Sequence, residues 1–351
     1  MGRVSERRRN VVLVALALGA SGCFPNLELK DAEATGGGVP GPIVCEGPAF
    51  EEWSYDTGFA EGLGATIADL DGDGLGDVAI PFQLSAATAI RWGAKSPDGL
   101  GFTKEAVTRP NGWVRHADLD GNGLGDLVVT SVDSPAQSIL LQQPMRDFVR
   151  VSLPQKCDGR ALVIDAEGDG ALDLLYSTAD AYVLRSGDGK GAFGPAKTFV
   201  GLSRSDTLDS GDFDGDGKPE LLRLREGAPP TLLTLGPNGA LSETPIDASA
   251  LEGVEGRVLV QDLDGDRRSE AVLVTGGLEQ GYIELRSHGH DGAPRFDRCV
   301  RAPIPPSLKA PQRTVTFLAA GDVNGDGKVD LLFNNGCPAC VYRHSVMVQV
   351  P

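Results

Sequence analysis

Six short stretches of this 351-residue chain place oxygen donors at fixed spacing. The first is Asp69-Leu70-Asp71-Gly72-Asp73-Gly74-Leu75-Gly76-Asp77, with carboxylates at positions 1, 3, 5 and 9. The second sets Asp118, Asp120, Asn122 and Asp126 at those positions, and the third Asp165, Glu167, Asp169 and Asp173. The fourth has Asp212, Asp214, Asp216 and Glu220, the fifth Asp262, Asp264, Asp266 and Glu270, and the sixth Asp322, Asn324, Asp326 and Asp330. Side chains at 1, 3, 5 and 9, with a backbone carbonyl at 7, supply the roughly six to eight oxygens a hard cation needs, and calcium fits best. Glycine at position 4, and at 6 in five of the six loops, allows the positive φ of a sharp turn. Of the 49 acids, 22 sit at these positions. Such clusters repel one another without a cation, and six calcium ions would bring the formal charge from −17 to −5. In the fifth loop Arg267 stands where glycine is expected and Arg268 adds charge, so an empty Asx-turn competes there with a metal site.

The elements that must hold these loops are strands. An EF-hand needs an acidic ligand at position 12, but that position is Ile80, Val129, Tyr176, Arg223, Leu273 and Phe333. Position 9 is instead followed by apolar runs such as Val78-Ala79-Ile80 and Leu127-Val128-Val129, typical of strands buried on both faces. A third strand follows, as in Ala181-Tyr182-Val183-Leu184, and a fourth is expected to begin at Phe102, Phe148, Phe193, Leu241 and Phe296. The loops recur after 49, 47, 47, 50 and 60 residues, and four strands per such period make a propeller blade. Only Val341 to Val350 remains after the sixth unit's second strand, so Pro48 to Tyr55 is expected to complete that blade and cover its open edge. The expected fold is all-β: a six-bladed β-propeller over 46–351, four antiparallel strands per blade, the last closed by the N-terminal strand.

Position 2 of the loops is always Leu, Ala, Phe or Val, which directs it into the apolar interior. In this context the six loops resemble the FG-GAP or VCBS-type repeats of calcium-binding propellers, the family that includes the integrin α-subunit head. Ala79-Ile80-Pro81 falls where the tripeptide naming the first family would stand. The resemblance implies an extracytoplasmic binding or adhesion scaffold holding up to six calcium ions, although some relatives build enzymes on such blades.

The N-terminus has the pattern of an export signal. Arg7, Arg8 and Arg9 precede a ten-residue apolar stretch, Val11 to Ala20, too short to span a bilayer. Ala20-Ser21-Gly22-Cys23 resembles a bacterial lipobox, with Ala20 where leucine is usual, which implies lipidation of Cys23 after removal of 1–22. Ordinary signal-peptidase cleavage near Ala20 is the alternative. Residues 23–45 have the glycine- and proline-rich composition of a flexible tether. The expected location is the bacterial envelope, at the outer membrane or cell surface, with membrane contact only through the lipid.

Net charge −17 gives no electrostatic footprint for nucleic acid. Cys337-Pro338-Ala339-Cys340 lies between strands, where a local disulfide is favoured over a redox pair. None of His116, His288, His290 and His344 belongs to a nucleophile or zinc-protease motif, and no catalytic constellation is evident. Trp53 and Trp92 are expected to pack on outer strands, and Trp113 either packs or offers a sugar-stacking platform. A basic, proline-rich insertion, Arg301 to Thr314, is either a long connection covering a blade edge or a candidate surface for an anionic glycan or acidic protein. The function expected is a calcium-binding scaffold for an unknown protein or glycan ligand, with an extracellular polysaccharide lyase or hydrolase as the alternative.

Overall fold

The computed structural model describes residues 26–27, 50–56, 64–82, 87–96, 99–103, 106–108, 112–130, 137–153, 157, 161–203, 206–225, 228–236, 240–247, 256–262, 266–277, 282–288, 296–303, 314–336 and 343–349. Among these, every regular element is a β-strand, and no helix is long and apolar enough to cross a membrane. The fold is an all-β propeller. Each nine-residue loop joins the first two strands of a sheet. Thr66–Ala68 enters loop one and Asp77–Phe82 leaves it, followed by Ala87–Arg91 and Ala106–Thr108. Sheet two comprises Trp113–Ala117, Asp126–Thr130, Gln137–Gln143 and Asp147–Leu153, and sheet three Ala161–Ile164, Asp173–Ser177, Tyr182–Arg185 and Lys197–Thr198. Sheet four comprises Thr207–Gly211, Glu220–Leu224, Thr231–Leu235 and Leu241–Pro245.

The expectation of a six-bladed propeller is corrected to four blades: sheets one to four are self-contained four-stranded blades. The sheet of loop five, Gly256–Gln261, Glu270–Gly277, Tyr282–His288 and Phe296–Pro303, carries a fifth strand because Asn26–Leu27, within the expected tether, pairs with its first. The sheet of loop six, Thr314–Gly321, Asp330–Gly336 and Arg343–Gln349, supplies only three strands of its own. Its fourth, Phe50–Asp56, runs antiparallel to Arg343–Gln349 along seven residue pairs. First strands of successive sheets stand against one another: sheet one meets sheet two, two meets three, three meets four, four meets the loop-five sheet, and the loop-six sheet meets sheet one.

The core lies in the seams between sheets. Leu70, Ala79 and Ile90 of sheet one pack with Val114, Leu127 and Leu140 of sheet two, and Val78 and Ile80 pack on the other face with Val323 and Leu332. This two-sided burial explains the unbroken apolar runs after each loop. Position 2 is buried at Leu70, Leu119, Phe213 and Val323, as its residue types require.

The structure decides the aromatic expectations. Phe102 ends a two-stranded ribbon, Gly93–Ser96 with Gly99–Phe102, and Phe193 is bridged to Gly187, so neither starts a fourth strand. Both pack against core clusters, so the phenylalanine marks an anchoring point of the connection rather than a strand start. Trp113 opens the first strand of sheet two at 5% exposure, and a Cβ on Gly64 would stand 2.1 Å from its ring. It is a packing residue and offers no sugar platform. Trp92 is buried just after the third strand of its sheet rather than on an outer strand.

Candidate metal centres

Each loop is organised by its first carboxylate. Asp69 accepts from the amides of Gly72, Asp73 and Gly74, and Asp322 from those of Gly325, Asp326 and Gly327. Asp165 repeats the pattern with Gly168, Asp169 and Gly170, while Asp118 and Asp212 each take two of these bonds. The glycines hold φ near +75 to +85°, as at Gly72 (77°) and Gly74 (84°), where a side chain would be strained. Arg267 adopts φ 74° at the equivalent position of loop five, and its amide still donates to Asp262. Position 5 turns onto the amide of position 7, as Asp73 does to Leu75 and Asp216 to Lys218.

Position 9 is buried and ties the loop to the sheet. Asp77 accepts from Leu70 at 2.9 Å and from Gly93 at 2.7 Å, and Asp126 from Leu119 and Gln142 in the same way. In loops one, two and four, oxygens of positions 1, 3 and 9 converge within 4.8 Å of one another: Asp69, Asp71 and Asp77; Asp118, Asp120 and Asp126; Asp212, Asp214 and Glu220. These acidic clusters could hold a metal. The all-oxygen donor set suits a hard divalent cation, and the packing of three carboxylates makes one electrostatically welcome. Burial pushes Asp77 up to about 7, Asp126 to about 6 and Glu220 to about 7, with neighbouring loop carboxylates adding to each rise.

These shifts carry a sign. A carboxyl whose folded pKa lies above its unfolded value stabilises the fold at low pH, and that contribution is lost as pH rises through the folded pKa. Metal-free protein should therefore melt at a lower temperature at pH 8 than at pH 5, the loss falling mainly between pH 4 and 7. Calcium holds the carboxylates ionised and should reduce or reverse the trend. Melting curves of dialysed and calcium-loaded protein at both pH values check this, and metal-free stability that rises with pH contradicts it.

The remaining loops differ. In loop three, Glu167 is hydrogen-bonded by Ser186 at 2.8 Å and lies 3.9 Å from Lys197, and its cluster is not among the convergent ones. Loop six has the amide of Asn324 at position 3, with Asp330 buried and bonded to the amide of Val323. Asp264 of loop five, Cys23, and the Cys337–Cys340 pair lie outside the described residues, as do His290 and most of the 301–314 insertion.

Adjacent loops are stitched by backbone bonds. The position-8 amide of Gly76 donates to Val323 at 3.0 Å, that of Gly125 to Leu70 at 2.7 Å, and that of Ser269 to Asp212 at 2.5 Å. Loop four has Pro219 at position 8 and so no amide to offer loop three. A cleft of about 730 Å³ opens at this seam, lined by Glu167, Lys197, Phe199, Lys218, Pro219 and Leu235 among others. Between first strands, Arg115 of sheet two pairs with Asp209 of sheet four, and Thr66 Oγ1 of sheet one lies 2.6 Å from His116 Nδ1. Burial, with Arg115 beside it, lowers His116 to about 4.

One feature of loop one has no signal in the repeats. Arg146, from the turn between the last two strands of sheet two, reaches Asp71 at 2.5 Å and Asp73 at 3.4 Å.

Residues 165–223, which span loops three and four, match the FG-GAP-like repeat. No curated protein matches the chain in sequence. Among solved structures, the Penicillium chrysogenum alpha-L-arabinanase complexed with arabinobiose is 11% identical, with a TM-score of 0.51 over 87% of this chain and 98% of that one. A luciferin-regenerating enzyme is 10% identical at TM-score 0.50, covering 85% and 95% of the two chains. An Agrocybe aegerita lectin specific for non-reducing terminal N-acetylglucosamine is 14% identical at TM-score 0.48, covering 82% and 75%. At such identities the likeness is one of fold. The chain is a β-propeller that carries the FG-GAP-like repeat.

Proposed function

We propose that this chain is a calcium-binding propeller serving as a binding, adhesion or structural scaffold. The carrying observation is the convergence of three carboxylates in each of loops one, two and four, on buried position-9 groups whose charge burial alone disfavours. In loop one Asp69, Asp71 and Asp77 would hold the ion, in loop two Asp118, Asp120 and Asp126, and in loop four Asp212, Asp214 and Glu220. Bound calcium supplies positive charge and no redox chemistry. The chain's own groups close each turn and fasten it to the sheet. Export and anchoring through Cys23 belong to the same reading and rest on the N-terminal sequence.

A scaffold is favoured over an enzyme because the charged and titratable groups described on the inner strands are engaged with one another, Arg115 with Asp209 and His116 with Thr66. The open seam at Pro219 offers a ligand both lysines and carboxylates beside an apolar floor, which suits a glycan or a polar peptide. A calcium titration by calorimetry, followed by glycan and protein arrays with and without chelator, tests the proposal. At least two calcium sites and chelator-sensitive capture are expected; absence of any calcium binding overturns it.

A further inference from the structure

Loop one differs from loops two and four in what stands beside its second carboxylate. Arg146 Nε donates to Asp71 Oδ2 at 2.5 Å, and Nη2 lies 3.4 Å from Asp73 Oδ2. The other Asp71 oxygen already accepts from the Asp73 amide. The guanidinium carbon sits 4.9 Å from the centre of the Trp92 ring, and Trp92 is buried and stacked on Phe148 with ring centres 6.3 Å apart. The indole thus holds the flat face of the guanidinium while its edge faces the carboxylates. Met145 and Arg146 take φ of 69° and 64°, a left-handed backbone that side chains resist, so the turn presents Arg146 against local preference. Met145 is 97% exposed and does not explain the conformation by its packing. Among the described residues, no arginine or lysine is ion-paired with the equivalent Asp120 or Asp214, although both clusters converge as loop one does; at loop four Arg268 lies beside the backbone, its Nε 2.9 Å from where a Cβ on Gly215 would stand.

We propose that Arg146 is a resident counter-cation of loop one, neutralising Asp71 and Asp73 in the metal-free protein and competing there with calcium. Guanidinium and calcium share the Asp71 carboxylate and repel each other across it. Loop one therefore fills at a higher calcium concentration than loop two, and at a higher concentration than it would without Arg146. The inference rests on the reading of the loops as calcium sites.

Terbium, which replaces calcium and luminesces when excited through a nearby indole, reports loop-one occupancy through Trp92. Arg146→Asn removes the charge, and asparagine tolerates the left-handed backbone. The variant should fill the Trp92-sensitised site at about tenfold lower terbium concentration than wild type. It should melt lower than wild type without metal and gain more from calcium. Arg146→Lys, which keeps the charge without the flat stacked face, should lie between the two and covers the case of a poorly folding asparagine variant. Asp71→Asn should abolish the signal and so assign it to loop one. Equal loop-one affinity in wild type and both Arg146 variants overturns the inference alone. Metal binding by none of them overturns the calcium reading and the inference with it.

Discussion

On the proposed calcium binding, removing the metal should lower the melting temperature of this protein by about 5–13 °C. At a calcium concentration of about 1 mM and a Kd of about 10⁻⁴ M, each occupied loop adds roughly 1.4 kcal/mol by mass action. Two loops contribute about 3 kcal/mol and six about 8, a large fraction of the roughly 5–15 kcal/mol that stabilises a folded domain. At the unfolding entropy of a chain of roughly 300 residues, each kcal/mol moves the midpoint by about 1.6 °C. The loops have this leverage because they join the first two strands of their sheets, and because position-9 groups such as Asp77 tie loop to strand. Scanning calorimetry before and after verified metal removal measures the shift. An unchanged midpoint would show that the loops hold their turns by backbone bonds alone.

Deleting residues 48–56 should cost on the order of 5 kcal/mol and make the protein self-associate, from about seven ladder hydrogen bonds worth roughly 0.5–1.5 kcal/mol each and the exposed edge they leave. The deleted strand, Phe50–Asp56, pairs with Arg343–Gln349 from Phe50 opposite Gln349 to Asp56 opposite Arg343. Its loss leaves a row of unpaired amides and carbonyls on the last strand, a template for another chain. Trimming residues 26–44 removes only the two-residue pairing of Asn26–Leu27 with Gly256 and Arg257 and should do much less. Size-exclusion profiles and melting of the two truncations distinguish them, and identical behaviour would refute closure by the N-terminal strand.

Much of the candidate site was legible because each loop is a local device. The carboxylate at position 1 reaches amides three to five residues on, and glycine is needed where φ turns positive, so a nine-residue pattern suffices to foresee the turn. Apolar runs after position 9 likewise declare strands buried on both faces. Position 9 was legible as a carboxylate but not as a tie to the segment just after the third strand, because the Gly93 amide that bonds Asp77 lies 16 residues away across a connection of variable length. Phe102 and Phe193 misled for a related reason: an aromatic anchor in a connection carries the same sequence mark as one that opens a strand.

By itself, then, the sequence determined the repeating loop-and-strand unit and the oxygen-rich chemistry of its turns, since both depend on residues within one turn of chain. Only the tertiary structure decided that four blades are self-contained while the loop-five sheet also recruits Asn26–Leu27, that a cleft opens where Pro219 has no amide to offer loop three, and that Arg146 lies against loop one. These outcomes depend on residues brought together across blades, as Arg146 is to Asp71 from 75 positions away, and no periodic pattern encodes such a meeting. The spacing makes six loops alike; packing between neighbouring sheets makes them different.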